Sequence, residues 1–170
     1  MRLLVLVFLL CAAIQSLGQD GSPGDDARSV DSIITAVYDV ISGEKDQPQD
    51  WARFKNLFTA DARLIPTFTN KEGKVVSRTL TVDDYQASFT KMISQHGFYE
   101  KQIASVQEEF GNIVHVFSTY ETRHEKNGPV KSRGINSIQL LKGNDRYYVM
   151  TIAWSQEDAR TPIPSRYLPQ

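Results

Sequence analysis

From Phe98 onward, apolar and polar side chains alternate with a period of two, and this alternation continues almost to the end of the chain. Three turn pairs, Gly111-Asn112, Asn127-Gly128 and Gly143-Asn144, cut the stretch into four segments. The segments run roughly Tyr99–Phe110, Ile113–His124, Val130–Leu141 and Arg146–Ser155. Alternation bounded by Gly/Asn turns reads as antiparallel strands joined by hairpins. A long meander of this kind has one apolar face, which must be covered by something else in the chain.

The cover is found upstream. Val30, Ile33, Ile34, Val37 and Ile41 recur at helical spacing, with Ser29 as cap and Gly43 as stop. Asp50 opens a short second helix whose Trp51, Phe54, Leu57 and Phe58 share a face. Ala62 to Thr69 and Val75 to Leu80 read as a hairpin around Asn70–Gly73. Thr81-Val82-Asp83-Asp84 is a capping box with Asp in the Glu position, and it starts a third helix through Tyr85, Phe89, Met92 and Ile93.

Residues 1–18 read as a secretory signal peptide: Arg2, the uncharged apolar run Leu3 to Ile14, then Ser16-Leu17-Gly18 at the cleavage point. The run is too short to serve as a retained membrane anchor. Cys11, the only cysteine, falls inside it and lacks the small preceding residue of a lipoprotein site, so the mature chain has no thiol chemistry. Residues 19–27 are a polar, Gly/Pro-containing leader, 28–158 the domain, and 159–170 an extended tail with three prolines. With 19 basic against 20 acidic residues, interspersed, there is no basic patch for nucleic acid. Export to a periplasm or to the exterior is the expected location.

Helices in front, a hairpin, a helix and then a meander make an α+β plan. The order resembles the NTF2-like (SnoaL-like) cone. Leu57-Phe58-Thr59-Ala60-Asp61-Ala62 is similar to its helix-to-strand entry, and Arg133 to Leu140 followed by Arg146 to Val149 to its last hairpin. An exported NTF2-like subgroup of unknown role shares Gly97-Phe98-Tyr99-Glu100, Ser118 to Arg123, Trp154-Ser155-Gln156-Glu157 and Pro162-Ile163-Pro164. The resemblance implies three helices packed on a strongly curved, six-stranded, mainly antiparallel sheet that encloses a pocket. It also implies a homodimer through the sheet's other face. It does not select a reaction, because the fold hosts isomerases, dehydratases, cyclases and binding subunits alike.

Treating all three turn pairs as two-residue hairpins assigns the sheet faces. Ser118, Tyr120, Arg133, Ser137 and Trp154 then fall on the pocket side, with Ile103, Val114, Val116, Ile135, Met150 and Ile152. A guanidinium beside a phenol and an indole in an apolar cone suits a small, partly apolar, anionic ligand; alternatively Arg133 pairs with a carboxylate at the cone mouth. Glu100, Gln102, His115, Glu121, Arg123, Asn136, Ile138 and Val149 fall on the other side, where Glu100 opposite Arg123 reads as part of an ion-pair ladder.

Tyr120 and His115 are the candidate catalytic groups, His115 because imidazole is the commonest general base, although its face points away from the cone. Steroid-isomerase-like members carry a carboxylate just before a proline on the first strand; Ile65 precedes Pro66 here. No metal-ligand spacing, phosphate loop or nucleophile elbow is present, so no metal and no cofactor is expected. The function expected first is binding of an unidentified small molecule; the alternatives are a cofactor-free isomerase, dehydratase or cyclase, and a dimeric interaction module with a filled cone. An inward-facing His115, Glu100 or Glu157 would favour the enzyme.

Overall fold

The computed structural model describes residues 25–170. The expected signal peptide, Cys11 and most of the leader lie outside the described residues. The leader's last residues belong to the fold. Asp26 is buried and accepts two hydrogen bonds from Arg53, at 2.7 and 2.9 Å, while the Ala27 carbonyl accepts from Tyr147 N–H at 2.8 Å.

Helix α1 (Val30–Ile41) starts where Ser29 and Ser32 cap each other reciprocally, and helix α3 (Val82–Ile93) starts at the matching Thr81/Asp84 box. The short helix α2 (Trp51–Asn56) is capped by Asp50. The buried stripe of α1 is wider than the periodicity predicts, because Ala36, Tyr38 and Val40 are buried with the expected positions. This helix packs against β3, α2 and β6 and is covered on more than one side.

The sheet has six strands: β1 (Phe58–Thr69), β2 (Val75–Ser77), β3 (Tyr99–Phe110), β4 (Ile113–Arg123), β5 (Ser132–Lys142) and β6 (Tyr147–Gln156). Their order is β2-β1-β6-β5-β4-β3, with β1 and β6 parallel and every other pair antiparallel. Breaks in register interrupt the ladders in β1 between Phe58 and Arg63, in β3 at Ile103, and in β6 at Met150. Bulges bend and twist a strand, and these curl the sheet around the helices. Ile33, Leu57, Leu64, Val114, Ile138, Leu140 and Val149 fill the concave side and are almost wholly buried.

Three departures from the expected register, at Ile103, between β4 and β5, and at Met150, decide which side chains face the helices. The Gly111-Asn112 hairpin is tight, as expected, and Phe110 pairs with Ile113. The Ile103 bulge then shifts the pairing by one, so that Glu100 pairs with Thr122 rather than Arg123. Strands β4 and β5 are joined by residues 124–131, not by a two-residue Asn127-Gly128 turn, and Tyr120 pairs with Gly134. A one-residue slip moves every side chain to the opposite face. Glu100, Gln102, Asn136, Ile138 and Val149 therefore face the helices, and Arg133, Ile135 and Ser137 face away. Met150, at its bulge, is 41% exposed.

The outer face carries the tail. Thr119 Oγ1 donates to the Tyr167 carbonyl at 2.6 Å, and the Phe117 and Tyr167 rings meet edge to face at 5.0 Å. Residues 165–167 form a single 3-10 turn there, so the tail covers part of the surface that the sequence offered as a dimer face. Among the described residues no helix is long and apolar enough to cross a membrane.

Candidate functional site

Between the helices and the concave face of the sheet lies a cavity of about 410 Å³. Its walls are mainly apolar: Val37 and Ile41 from α1, Phe54 from α2, Phe89 and Met92 from α3, and Leu64 and Ile152 from the sheet. Phe54 stacks on Tyr85 (5.6 Å between centroids) and tilts against Phe58 (4.7 Å), while Tyr85 meets Trp154 edge to face at 6.2 Å. A cavity of this volume and lining is the usual form of a small-molecule site, about 300–1,000 Å³ with few polar groups.

The polar groups are concentrated. Glu100, Asn136, Tyr120 and Tyr85 all line the cavity. Asn136 Nδ2 donates to Glu100 Oε1 at 3.2 Å and to the Tyr38 hydroxyl at 3.0 Å. Tyr38 bonds Ser118 Oγ at 2.7 Å, and Ser118 in turn donates to Gln102 Oε1 at 2.7 Å. This chain from helix α1 across β3, β4 and β5 fixes the Asn136 amide, and the amide positions the carboxylate.

No salt bridge reaches Glu100 among the described residues. Burial pushes its carboxyl up from the ordinary 4.5 to about 7, with the Asn136 amide pulling only part of the way back. Burial, and then the neighbouring Glu100 charge, also raise the phenols of Tyr85 and Tyr120. Both therefore stay protonated across the neutral range and remain hydrogen-bond donors. Among the described residues neither hydroxyl has a hydrogen-bond partner, and both tyrosines line the cavity. Gly134 makes room for Tyr120: a Cβ there would lie 2.4 Å from the Tyr120 hydroxyl oxygen and 2.4 Å from the Ser155 carbonyl. Glu100 also borders a second, more polar groove of about 710 Å³ between α1 and β3.

Of the residues singled out from sequence, Tyr120 and Trp154 line the cavity. Ser118 is on the expected face but is fully buried and engaged by Tyr38 and Gln102. Arg133 and Ser137 are on the wrong face for the role expected of them, because of the β4–β5 slip. Arg133 pairs with Glu157 at 2.9 Å, and the other carboxylate oxygen of Glu157 accepts the Ile163 N–H at 3.0 Å, so the pair fastens the tail. Ser137 bonds His115 Nε2 at 3.1 Å on the outer face, which removes His115 from the cavity as expected of its strand. The anticipated Glu100–Arg123 ladder is instead Lys101–Glu121–Arg123, at 3.2 and 2.7 Å.

No family model matches the sequence, and no curated protein matches it. Solved structures do share its architecture. A protein of unknown function with a cystatin-like fold from Nostoc punctiforme superposes with a TM-score of 0.55 at 10% identity, over 74% of this chain and 86% of that one. A protein from Streptomyces avermitilis, provisionally named a dehydratase of the NTF2-like family, gives 0.55 at 15% identity, over 81% of this chain and all of that one. The chain has the NTF2-like fold. A Novosphingobium aromaticivorans protein provisionally named scytalone dehydratase gives 0.55 at 11% identity, over 84% of this chain and 91% of that one. At these identities the likeness is one of fold, and the NTF2-like cone leaves the chemistry to the groups inside it.

Among the described residues no cluster of three or more His, Cys, Asp or Glu is placed to hold a metal ion. What the cone presents is one carboxylate that titrates near neutrality, two phenols that donate, and a hydrophobic wall.

Proposed function

We propose that the protein is an exported, cofactor-independent acid–base enzyme that moves a proton on a small, mainly apolar substrate held in the cone. The observation that carries the reading is Glu100: a carboxyl in an apolar cavity, raised to about 7, held by a single amide and facing two donor phenols. A base works best when its pKa lies near the working pH, and burial is the usual means of raising a carboxylate that far.

In this reading Glu100 takes a proton from the carbon next to a carbonyl, and Tyr120 or Tyr85 donates a hydrogen bond to the oxygen that becomes negative. Returning the proton to another carbon is an isomerisation; giving it instead to a β-hydroxyl, which then leaves as water, is a dehydration. Because Glu100 also borders the polar groove, its proton can exchange with water while a substrate fills the cone. The provisional dehydratase names of two structural neighbours agree with this class of chemistry. Export follows from the apolar run Leu3 to Ile14 and the small residues after it.

The experiment is solvent deuterium exchange. Small β,γ-unsaturated and β-hydroxy ketones are incubated with the protein in D₂O and followed by proton NMR. The wild type is expected to label the carbon next to the carbonyl, and Glu100→Gln to slow this by about 10²–10⁴-fold, the usual worth of a general base. Equal labelling by both proteins would remove Glu100 from the reaction.

A further inference from the structure

The cavity is lined by two charged side chains of opposite sign. Glu100 is at the polar cluster; the other is Arg78. Arg78 lies in the link between β2 and α3, where its N–H donates to the Pro66 carbonyl at 3.2 Å. Two residues on, Leu80 and Leu64 exchange backbone hydrogen bonds at 2.9 and 3.0 Å. Residues 78–80 are thus held against β1 although β2 has ended at Ser77.

The Arg78 side chain is exposed and makes no salt bridge with any described residue. Asp84 feels its charge, but the Asp84 carboxylate is already engaged by the Thr81 hydroxyl at 2.7 Å and the Thr81 N–H at 3.1 Å. Ser88 and Gln156 are the other exposed polar side chains that line this cavity, so its rim carries one cation and two neutral hydrogen-bonding groups. Arg133, the guanidinium that the sequence suggested for this role, faces the other way.

We infer that the substrate is an amphipathic carboxylate, its anionic group received by Arg78 at the rim and its apolar body lying along the Phe54, Tyr85 and Trp154 wall. A planar guanidinium matches a carboxylate in a two-point contact, and one unshared cation suits a monoanion. Placing the anion at the rim keeps it away from the Glu100 charge and orients the reacting end toward that carboxyl. The inference rests on the cone being the substrate site, as proposed above, and adds the chemical class of what enters it.

Octanoate and octanol make a matched pair of probes. Each is titrated at pH 6 into uniformly ¹⁵N-labelled mature protein while the Trp154 indole resonance is followed. The wild type is expected to bind octanoate about tenfold more tightly than octanol, the lower end of what a charge-assisted contact contributes. Arg78→Ala should bring the two affinities together with octanol binding unchanged, and Arg78→Lys should keep part of the preference. Equal affinities in the wild type, or a preference that survives in Arg78→Ala, would overturn the inference and leave the cone standing as a site, since octanol still moves Trp154. If neither probe moved Trp154, the cone would not be a ligand site and both readings would fall together.

Discussion

Glu100→Gln should make the protein more stable above neutral pH, by about 3 kcal/mol at pH 8, while removing its base. The carboxyl rises from 4.5 to about 7 on folding, and each unit is worth about 1.4 kcal/mol. A carboxyl whose folded value is raised binds its proton more tightly in the native state. Stability is therefore greatest below about 4.5, falls as the pH climbs toward 7, and stays at the lower level above it. The amide variant keeps the shape and never charges. The wild type and the variant should be about equally stable at pH 4, and should diverge between pH 5 and pH 7. Urea unfolding at closely spaced pH values measures the divergence. A constant difference across the range would mean that Glu100 ionises inside the cone without cost. A destabilised function-bearing carboxylate of this kind is the usual trade of stability against activity.

The second large effect belongs to the cone wall. Phe54→Ala is expected to destabilise the protein by about 3–5 kcal/mol, the range for emptying a buried aromatic site. Phe54 is 1% exposed and contacts Trp51, Phe58 and Tyr85, so it joins α2, β1 and α3 through one ring. Phe54→Leu should recover most of the loss. A Phe54→Ala cost below about 1 kcal/mol, read from urea midpoints at constant m-value, would show that the wall relaxes into the cavity.

The elements of the fold were legible because each is written locally. Ser29, Asp50 and Thr81 each cap the helix expected of them, and β3 runs over the residues that the alternation marks. Faces are harder, because the side-chain period is two and any odd error inverts a strand. Three odd errors occur here, and the one at Met150 cancels the β4–β5 slip for Ile152 and Trp154, which keep the expected face. Ile103 bulges without a glycine or proline to announce it, and Asn127-Gly128 lies within a longer loop whose closing bond runs from Lys131 N–H to the Thr122 carbonyl at 2.8 Å. The first hid Glu100, and the second exchanged Asn136 for Arg133 and Ser137.

One signal on β5 was available. Gly134 in the interior of a long strand marks a close approach, and the group that approaches is the Tyr120 ring. Placing Gly134 under Tyr120 would have set the β4–β5 register and brought Asn136 to the inner face beside Ser118. Tyr38 and Tyr85 were missed for another reason: on an amphipathic helix a tyrosine reads as part of the apolar stripe, and only the partners across the cone reveal its hydroxyl. Arg78 sits in a connection whose position depends on how residues 78–80 lie along β1, which no local pattern encodes.

In the proposed function the cone holds a carboxyl poised to take and give a proton at neutral pH. Carbon-detected NMR of protein labelled at the glutamate side-chain carboxyl, with the Glu100 signal assigned by its loss in Glu100→Gln, reads that group directly. A midpoint near 7 is the predicted result. Titration in the ordinary carboxylate range, near 4.5, would contradict the account, because burial would then not hold the Glu100 proton to neutral pH.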